Sequence, residues 1–294
     1  MFQAGGTGKV NKLKQVLIIG TQTYREWLFN SRNIIVLIVL FFLGNYTVAP
    51  MVNLSKQTGV PMNVFEPFIA NMNSQFVVLM VLAAFLVLIS DFPRMEGNNG
   101  YFLIRTSRVV WLAGKLLFAL FAVFTYIAGL FLALTVRVLE VAFYSEGWSY
   151  LMRDYYTKYA NLGYSNDTVC VVSDSLFNNY TAFEGFWYTV ILLAAMLFML
   201  CLIMMLANLI NKKIIGIVTN LGLIVLGFVL AFSGSRIACI LPVGNIMLSV
   251  QNTATHHIIS IWYPFAYFAG FIVLLTALCV ILVKKVIVQK DGER

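Results

Sequence analysis

The chain has 294 residues, 61% of them hydrophobic and only 11% charged. A soluble domain carries about 25% charged residues, so this composition excludes an ordinary soluble protein and indicates one built into a membrane. The net charge of +8 forms no basic patch with interleaved aromatics outside the apolar segments, which argues against a nucleic-acid partner and assigns the charge to membrane topology.

The N-terminal stretch MFQAGGTGKV looks like a phosphate-binding loop around Gly5, Gly6, Thr7, Gly8 and Lys9. The pattern fails where it matters. The first glycine would fall on Gln3 and the magnesium hydroxyl on Val10, and no strand precedes the loop. The first 30 residues are also too polar for a signal peptide, so the first apolar run is expected to be retained. From Lys12 to Arg32 the chain reads KLKQVLIIGTQTYREWLFNSR, with Leu13, Val16, Leu17 and Gly20 at helical spacing, then Tyr24, Trp27 and Leu28. This predicts either an amphipathic helix in the inner membrane interface, with Trp27 at headgroup depth, or a cytoplasmic helix packed on a partner.

Six apolar runs approach the 20 or so residues needed to cross a bilayer. They lie at about 33–50, 75–92, 110–136, 186–211, 214–233 and 262–285. The first is broken by Gly44 and ended by Pro50, and the fourth and fifth are separated only by Asn211, Lys212 and Lys213. With the N-terminus inside, most of the 20 basic residues fall in inner segments, so both termini are expected in the cytoplasm. The organisation that follows is a tail and interfacial helix over 1–32, a six-helix domain over 33–285 with an outer loop at 137–185, and a tail at 286–294. The fold class is all-α and polytopic.

The inner segment between spans two and three reads DFPRMEGNNGYFLIRTSRVVWLAGK. Pro93 ends the second span. Glu96 to Gly100 is turn chemistry, and Tyr101 to Arg108 forms a short helix with one apolar and one basic face. Trp111 and Lys115 then anchor the third span at the interface. Two readings stay open: a helix that docks in a groove on a soluble partner, or a plain positive-inside loop with an anchoring Trp and a snorkelling Lys.

The outer loop is rich in aromatics. Tyr144, Trp148 and Leu151 share a helical face, as do Tyr155 and Tyr159, which suits either a lid over an exit or aromatic anchoring with a small packed cap. Cys170 in this loop and Cys239 after span five both lie outside, where a disulfide between them can persist. Residues 234–260 are too apolar for a free loop and too broken by Pro242 and Gly244 for a span, so a pair of short re-entrant or interfacial helices is expected. His256 and His257 are adjacent and have no acidic or Cys partner nearby, which does not make a metal site.

The predicted spans hold almost no ionisable residues, and Lys115 and Arg137 stand at helix ends. This disfavours a proton-coupled carrier and a voltage sensor. An HExxH motif, a paired intramembrane Asp and a Ser–His arrangement are all missing from the spans, which disfavours an intramembrane enzyme.

A basic amphipathic helix before six spans, the inner loop RTSRVVWLAGK, the basic turn at Lys212 and Lys213, and an irregular apolar segment before span six together resemble the membrane subunit of an ABC-2-type ATP-binding-cassette exporter. The resemblance covers nearly the whole chain and is one of architecture and one loop. It implies an elbow helix at the membrane, a second permease copy or sister permease, and an ABC ATPase subunit as a separate chain. That partner would bind ATP and Mg, and this chain would bind no cofactor and hydrolyse nothing. The segment after residue 285 is short for a fused nucleotide-binding domain, which agrees. The loop between spans two and three would carry the coupling helix, placing Asp91, Arg94, Glu96, Tyr101, Arg105 and Arg108 at or near the ATPase contact. Spans two and five would line the path, with Thr219 and Asn220 as its main polar points. So apolar a path suits a hydrophobic or amphipathic cargo, a peptide or lipid-like molecule, exported across a bacterial plasma membrane. The competing expectations are a channel or scramblase without an ATPase, or a structural membrane protein that docks a cytoplasmic partner through 91–108.

Overall fold

The computed structural model describes residues 8–93, 106–154, 172–234, 236–251, 260 and 262–291. The described chain is helical almost throughout. Five helices are long and apolar enough to cross a membrane: α2 (Ser31–Thr58), α5 (Arg108–Thr135), α8 (Ala182–Leu209), α9 (Lys213–Phe232) and the Trp262–Lys284 part of α12 (Trp262–Asp291). The pair α3 (Glu66–Met72) and α4 (Gln75–Ile89) bends by 85° at a short break and makes a sixth if counted as one span. Helix α1 (Gly8–Leu28) precedes them all. The shorter elements are strands β1 (Met62–Asn63) and β2 (Ala142–Phe143), which pair in parallel, and helices α6 (Tyr150–Asp154), α7 (Asp174–Asn179), α10 (Pro242–Ile246) and α11 (Leu248–Gln251).

Hydrogen bonds place one end of each span together. Arg32 at the start of α2 and Lys213 at the start of α9 both pair with Asp91 after α4. Asn208 near the end of α8 donates to the Phe92 carbonyl, and Arg108 at the start of α5 donates to the Lys284 carbonyl of α12 at 3.3 Å. This is the basic end. The opposite, far end carries β1, β2, α3 and the turn before α8.

Several boundaries differ from those predicted. Helix α2 does not stop at Pro50 but runs to Thr58, where Gly59 takes the left-handed conformation (φ 69°). A proline inside a spanning helix is tolerated when neighbours cover the freed backbone, and the helix around Pro50 packs inward through Val48, Met51 and Val52. Helix α8 starts at Ala182 rather than 186, because Thr181 and Glu184 form a reciprocal capping box. The tight α8–α9 turn is as expected: Asn211 adopts φ 56° and Lys212 N donates to the Ala207 carbonyl at 2.9 Å. The short helices expected within 234–260 are present as α10, α11 and a 3₁₀ turn over Arg236–Ile240. Tyr144 and Trp148, by contrast, precede α6 and share no helix with Leu151. Tyr155 and Tyr159 lie outside the described residues.

Helix α4 alone is short for a span, 15 residues or about 22 Å against the ~30 Å hydrocarbon core, and counts as one only together with α3. Its break from α3 exposes backbone groups that need partners within the protein. The segment α10–α11 supplies them. Asn73 Oδ1 accepts from Ser249 N at 3.1 Å, and Ser249 Oγ donates to the Asn73 carbonyl at 3.2 Å. Gln75 Nε2 reaches the Ala231 carbonyl of α9 at 3.0 Å.

Candidate functional site

The candidate site is the joint at the basic end, where Asp91 and Arg108 stand on either side of the sequence 94–105, which lies outside the described residues. Asp91 is its centre. Its two carboxylate oxygens are divided between helices: one takes the Arg32 guanidinium, the other the Lys213 ammonium. The Lys213 hydrogen bond, followed by that of Arg32, holds the Asp91 carboxyl below its ordinary range. Three helix ends thus meet on one side chain, immediately before the predicted partner-binding loop. Of the residues read from the sequence as a coupling interface, Asp91 and Arg108 flank that loop and bond within this chain. Arg94, Glu96, Tyr101 and Arg105 lie outside the described residues.

Beside Asp91, helix α1 docks along the first half of α5. Small residues let the backbones approach: a Cβ on Gly114 would meet Ile19 Cγ2 at 2.7 Å, and one on Gly20 would meet Leu117 at 2.9 Å. Tyr24 and Thr125 share a hydroxyl hydrogen bond at 2.6 Å. Trp27, expected at headgroup depth, is half-buried. It packs edge-on against Phe118, and its indole N–H donates to the Leu88 carbonyl at 3.3 Å. Leu13, Leu17 and Ile18 remain exposed on the outer side of α1, next to exposed Lys12 and Lys14, as an interfacial helix requires.

Lys115 departs furthest from expectation. It is no snorkelling end residue but 0% exposed, two turns into α5. Its Nζ donates to Thr23 Oγ1 of α1 at 3.0 Å and lies 5.8 Å from the Trp111 ring centroid. Trp111, expected as an interface anchor, is also buried. A buried ammonium needs partners, and docking of α1 supplies one. No signal local to residue 115 reveals this, because the acceptor lies 92 positions away.

A cavity of about 70 Å³ opens where α1, α2, α4 and α5 meet. Its walls include Glu26, Trp27, Arg32, Asn33, Asp91 and Phe118.

At the far end, Glu66 clasps the cap. It is fully buried and accepts from Ser149 Oγ at 2.8 Å, Ser149 N, and Asn63 N at 3.0 Å. Asn63 Nδ2 in turn reaches the Ser145 and Gly147 carbonyls, each at 2.7 Å. Trp148 donates to the Tyr180 carbonyl at 2.7 Å and packs on Phe177, so it belongs to the packed cap. Cys239 is a buried free thiol, and Cys170, its predicted partner, lies outside the described residues, as do His256 and His257.

The two residues predicted to line a path separate. Thr219 stands on the exposed face of α9. Asn220 is buried, and its Nδ2 donates to the Leu200 carbonyl of α8 at 3.1 Å, tying α9 to α8 instead. The exposed α9 face also carries Val218, Leu221 and Val225, and the neighbouring α4 exposes Phe76, Met80 and Val87 in a stripe.

Compared with protein-family profiles, with curated proteins and with solved structures, the chain matches none.

Proposed function

We propose that this chain is the permease subunit of an ATP-driven exporter of the ABC-2 type. It works in a bacterial plasma membrane with both termini in the cytoplasm, beside a second permease copy and a separate ATPase subunit that binds ATP and Mg. The observation that carries the reading is the joint on Asp91. A partner that grips the 94–105 loop pulls on a residue bonded to α2 and α9, while Arg108 on the other side of the loop is bonded to α12. Force applied at one short segment therefore reaches five spans, α4 and α5 directly and α2, α9 and α12 through these bonds. The architecture read from the sequence, an elbow helix before six apolar runs, supports the same assignment.

Helix α4 is the element that moves between the two ends. Its basic end is bound through Asp91, and its far end is held by Gln75 and by the Asn73–Ser249 pair. A rigid helix with both ends tied transmits displacement better than a loop does. The exposed faces of α4 and α9, facing the same faces of a second copy, form an apolar path with Thr219 as its polar point. Such a wall has few groups to recognise a sugar or an ion and suits a hydrophobic or amphipathic cargo, a peptide or lipid-like molecule.

The test is to purify the chain from its native membrane in mild detergent and identify what accompanies it. A stoichiometric ATPase chain, lost when Arg105→Glu and Arg108→Glu are introduced together, is the expected result. Purification alone, or with a partner that lacks ATPase activity, overturns the assignment in favour of a passive channel, a scramblase or a structural role.

A further inference from the structure

The cavity at the α1–α2 junction has two chemically different sides. On one stand Arg32 and Asp91, paired with each other, with Lys213 holding the other Asp91 oxygen from outside the cavity. On the other stand Glu26 and Asn33. Asn33 is only 4% exposed. Its Nδ2 donates to the Trp27 carbonyl, and among the described residues its Oδ1 accepts no hydrogen bond, although it lines a cavity. This oxygen opens to the cavity and has acceptor capacity left for a donor on a ligand. The remaining wall is aromatic: Trp27 meets Phe118 edge-on at 5.9 Å, and Phe92 meets Phe118 at 5.1 Å. Aromatic faces, a carboxylate and an unpaired amide oxygen are together the environment of an organic ammonium.

We infer that this cavity holds the ammonium of a phosphatidylethanolamine headgroup, with the lipid phosphate on the Arg32 side. A zwitterion fits because the cavity presents both signs of charge a short distance apart. A primary ammonium fits better than a trimethylammonium because it can donate to Asn33 Oδ1 and Glu26. Size agrees: about 70 Å³ is room for about two waters at roughly 30 Å³ each, enough for an aminoethyl tip. A membrane lipid fits better than a soluble amine because two of the helices that form the cavity expose apolar side chains, Leu17 and Ile18 on α1 and Ile34, Ile35 and Ile38 on α2, a surface that acyl chains can cover. This assignment does not depend on the exporter reading; it needs only that the helices span a bilayer.

The test uses the full-length protein, delipidated in maltoside and titrated with dioleoyl phosphatidylethanolamine, phosphatidylcholine or phosphatidylglycerol at equal mole fraction. Bound lipid is counted by native mass spectrometry. Phosphatidylethanolamine should bind about tenfold tighter than the other two, as expected for charge-assisted hydrogen bonds. Glu26→Gln and Asn33→Leu should each remove most of that preference and leave phosphatidylglycerol binding unchanged. Glu26 is exposed, so its variant folds even if Asn33→Leu does not. Equal binding of the three lipids, or an undiminished preference in Glu26→Gln, overturns the assignment. Equal competition by free phosphoethanolamine overturns the membrane source of the ligand.

Discussion

The seam between α1 and α5 sets up a decisive substitution, Gly114→Ala. The added methyl would lie 2.7 Å from Ile19 Cγ2, 2.8 Å from Ile19 Cβ and 3.3 Å from the Val16 carbonyl oxygen. Rotating Ile19 cannot relieve this, because its Cβ moves only with the backbone. Ordinary van der Waals contact begins at 3.4 Å, so α1 must retreat by roughly 0.7 Å, an overpacking cost of about 1–3 kcal/mol. The same retreat stretches the 3.0 Å bond from Lys115 to Thr23 and weakens a charged hydrogen bond of a buried ammonium, a further cost of about 1–3 kcal/mol. Alanine recovers up to about 1 kcal/mol of helix propensity. The net loss is about 1–5 kcal/mol, and at roughly 2–4 °C per kcal/mol for a chain of this size the melting temperature in detergent falls by about 2–20 °C. Gly222→Ala is the control, since nothing lies within 4 Å of its added methyl. Melting followed by intrinsic fluorescence is the first readout, and the rate of tryptic cleavage after Arg25 in α1 is the second. A Gly114→Ala protein that melts within a degree of Gly222→Ala, and is cut no faster, refutes the docked-helix account.

Three further expectations concern the joints at either end of α4. Asp91→Asn removes two partly exposed ion pairs and should cost about 1 kcal/mol at neutral pH. The folded Asp91 carboxyl lies below its ordinary 3.8, so its contribution is complete above the unfolded value and disappears as pH falls through the folded one. The gap in melting temperature between wild type and variant should hold steady above about pH 5 and close in stronger acid. At the cap, Glu66→Ala leaves Ser149 N, Ser149 Oγ and Asn63 N without their acceptor and should lower stability by about 1–3 kcal/mol; thermal melting unchanged from wild type would mean that Glu66 does not hold the cap. Asn73→Ala strips the α3–α4 break of its acceptor for Ser249 N and should lower stability by about 1–3 kcal/mol; a neutral result in thermal melting would mean that the break is satisfied some other way.

What the sequence reveals here tracks the range of the physics involved. Hydropathy is a local sum, so the long apolar runs at α5, α8, α9 and α12 read out directly, and the Asn211–Lys213 turn is visible because only those residues separate two runs. Caps are local too. Thr181 and Glu184 carry the spacing of a capping box, and this signal moves the start of α8 back to Ala182 where hydropathy alone begins the span at 186. Pro50 shows the limit of a local rule. It reads as a helix end, yet α2 continues through it, because the neighbours that cover its backbone are remote in sequence. The 85° bend ahead of α4 is likewise settled by Ser249 and Ala231, more than 150 residues downstream.

The same reasoning explains why the candidate site was only half legible. Asp91 and Arg108 draw notice as charges flanking an inner loop, and that much is composition. Their bonds to Lys213 and Lys284 depend on which helix ends meet, and no window of sequence contains both partners. Lys115 is the sharper case. Beside Trp111 at the start of an apolar run, it has the pattern of an interface anchor, and that reading is correct for an isolated helix. Docking of α1 across Gly20 and Gly114 changes its surroundings from headgroup to protein. A hydrocarbon environment penalises each polar group that lacks a partner, so the polar side chains this chain does place among its spans occur where two helices must hold a fixed relation: Lys115 with Thr23, Asn220 with the Leu200 carbonyl, Gln75 with the Ala231 carbonyl. Arg32, Asp91 and Lys213 at the basic end follow the same rule with full charges. The contact between α8 and α12 is of another kind: among the described residues no side-chain hydrogen bond links these two helices, and Met196, Phe268 and Cys279 belong to the shared apolar core. Joints at both ends of α4 therefore fix its position more narrowly than apolar packing does, because a hydrogen bond is directional and apolar packing is not.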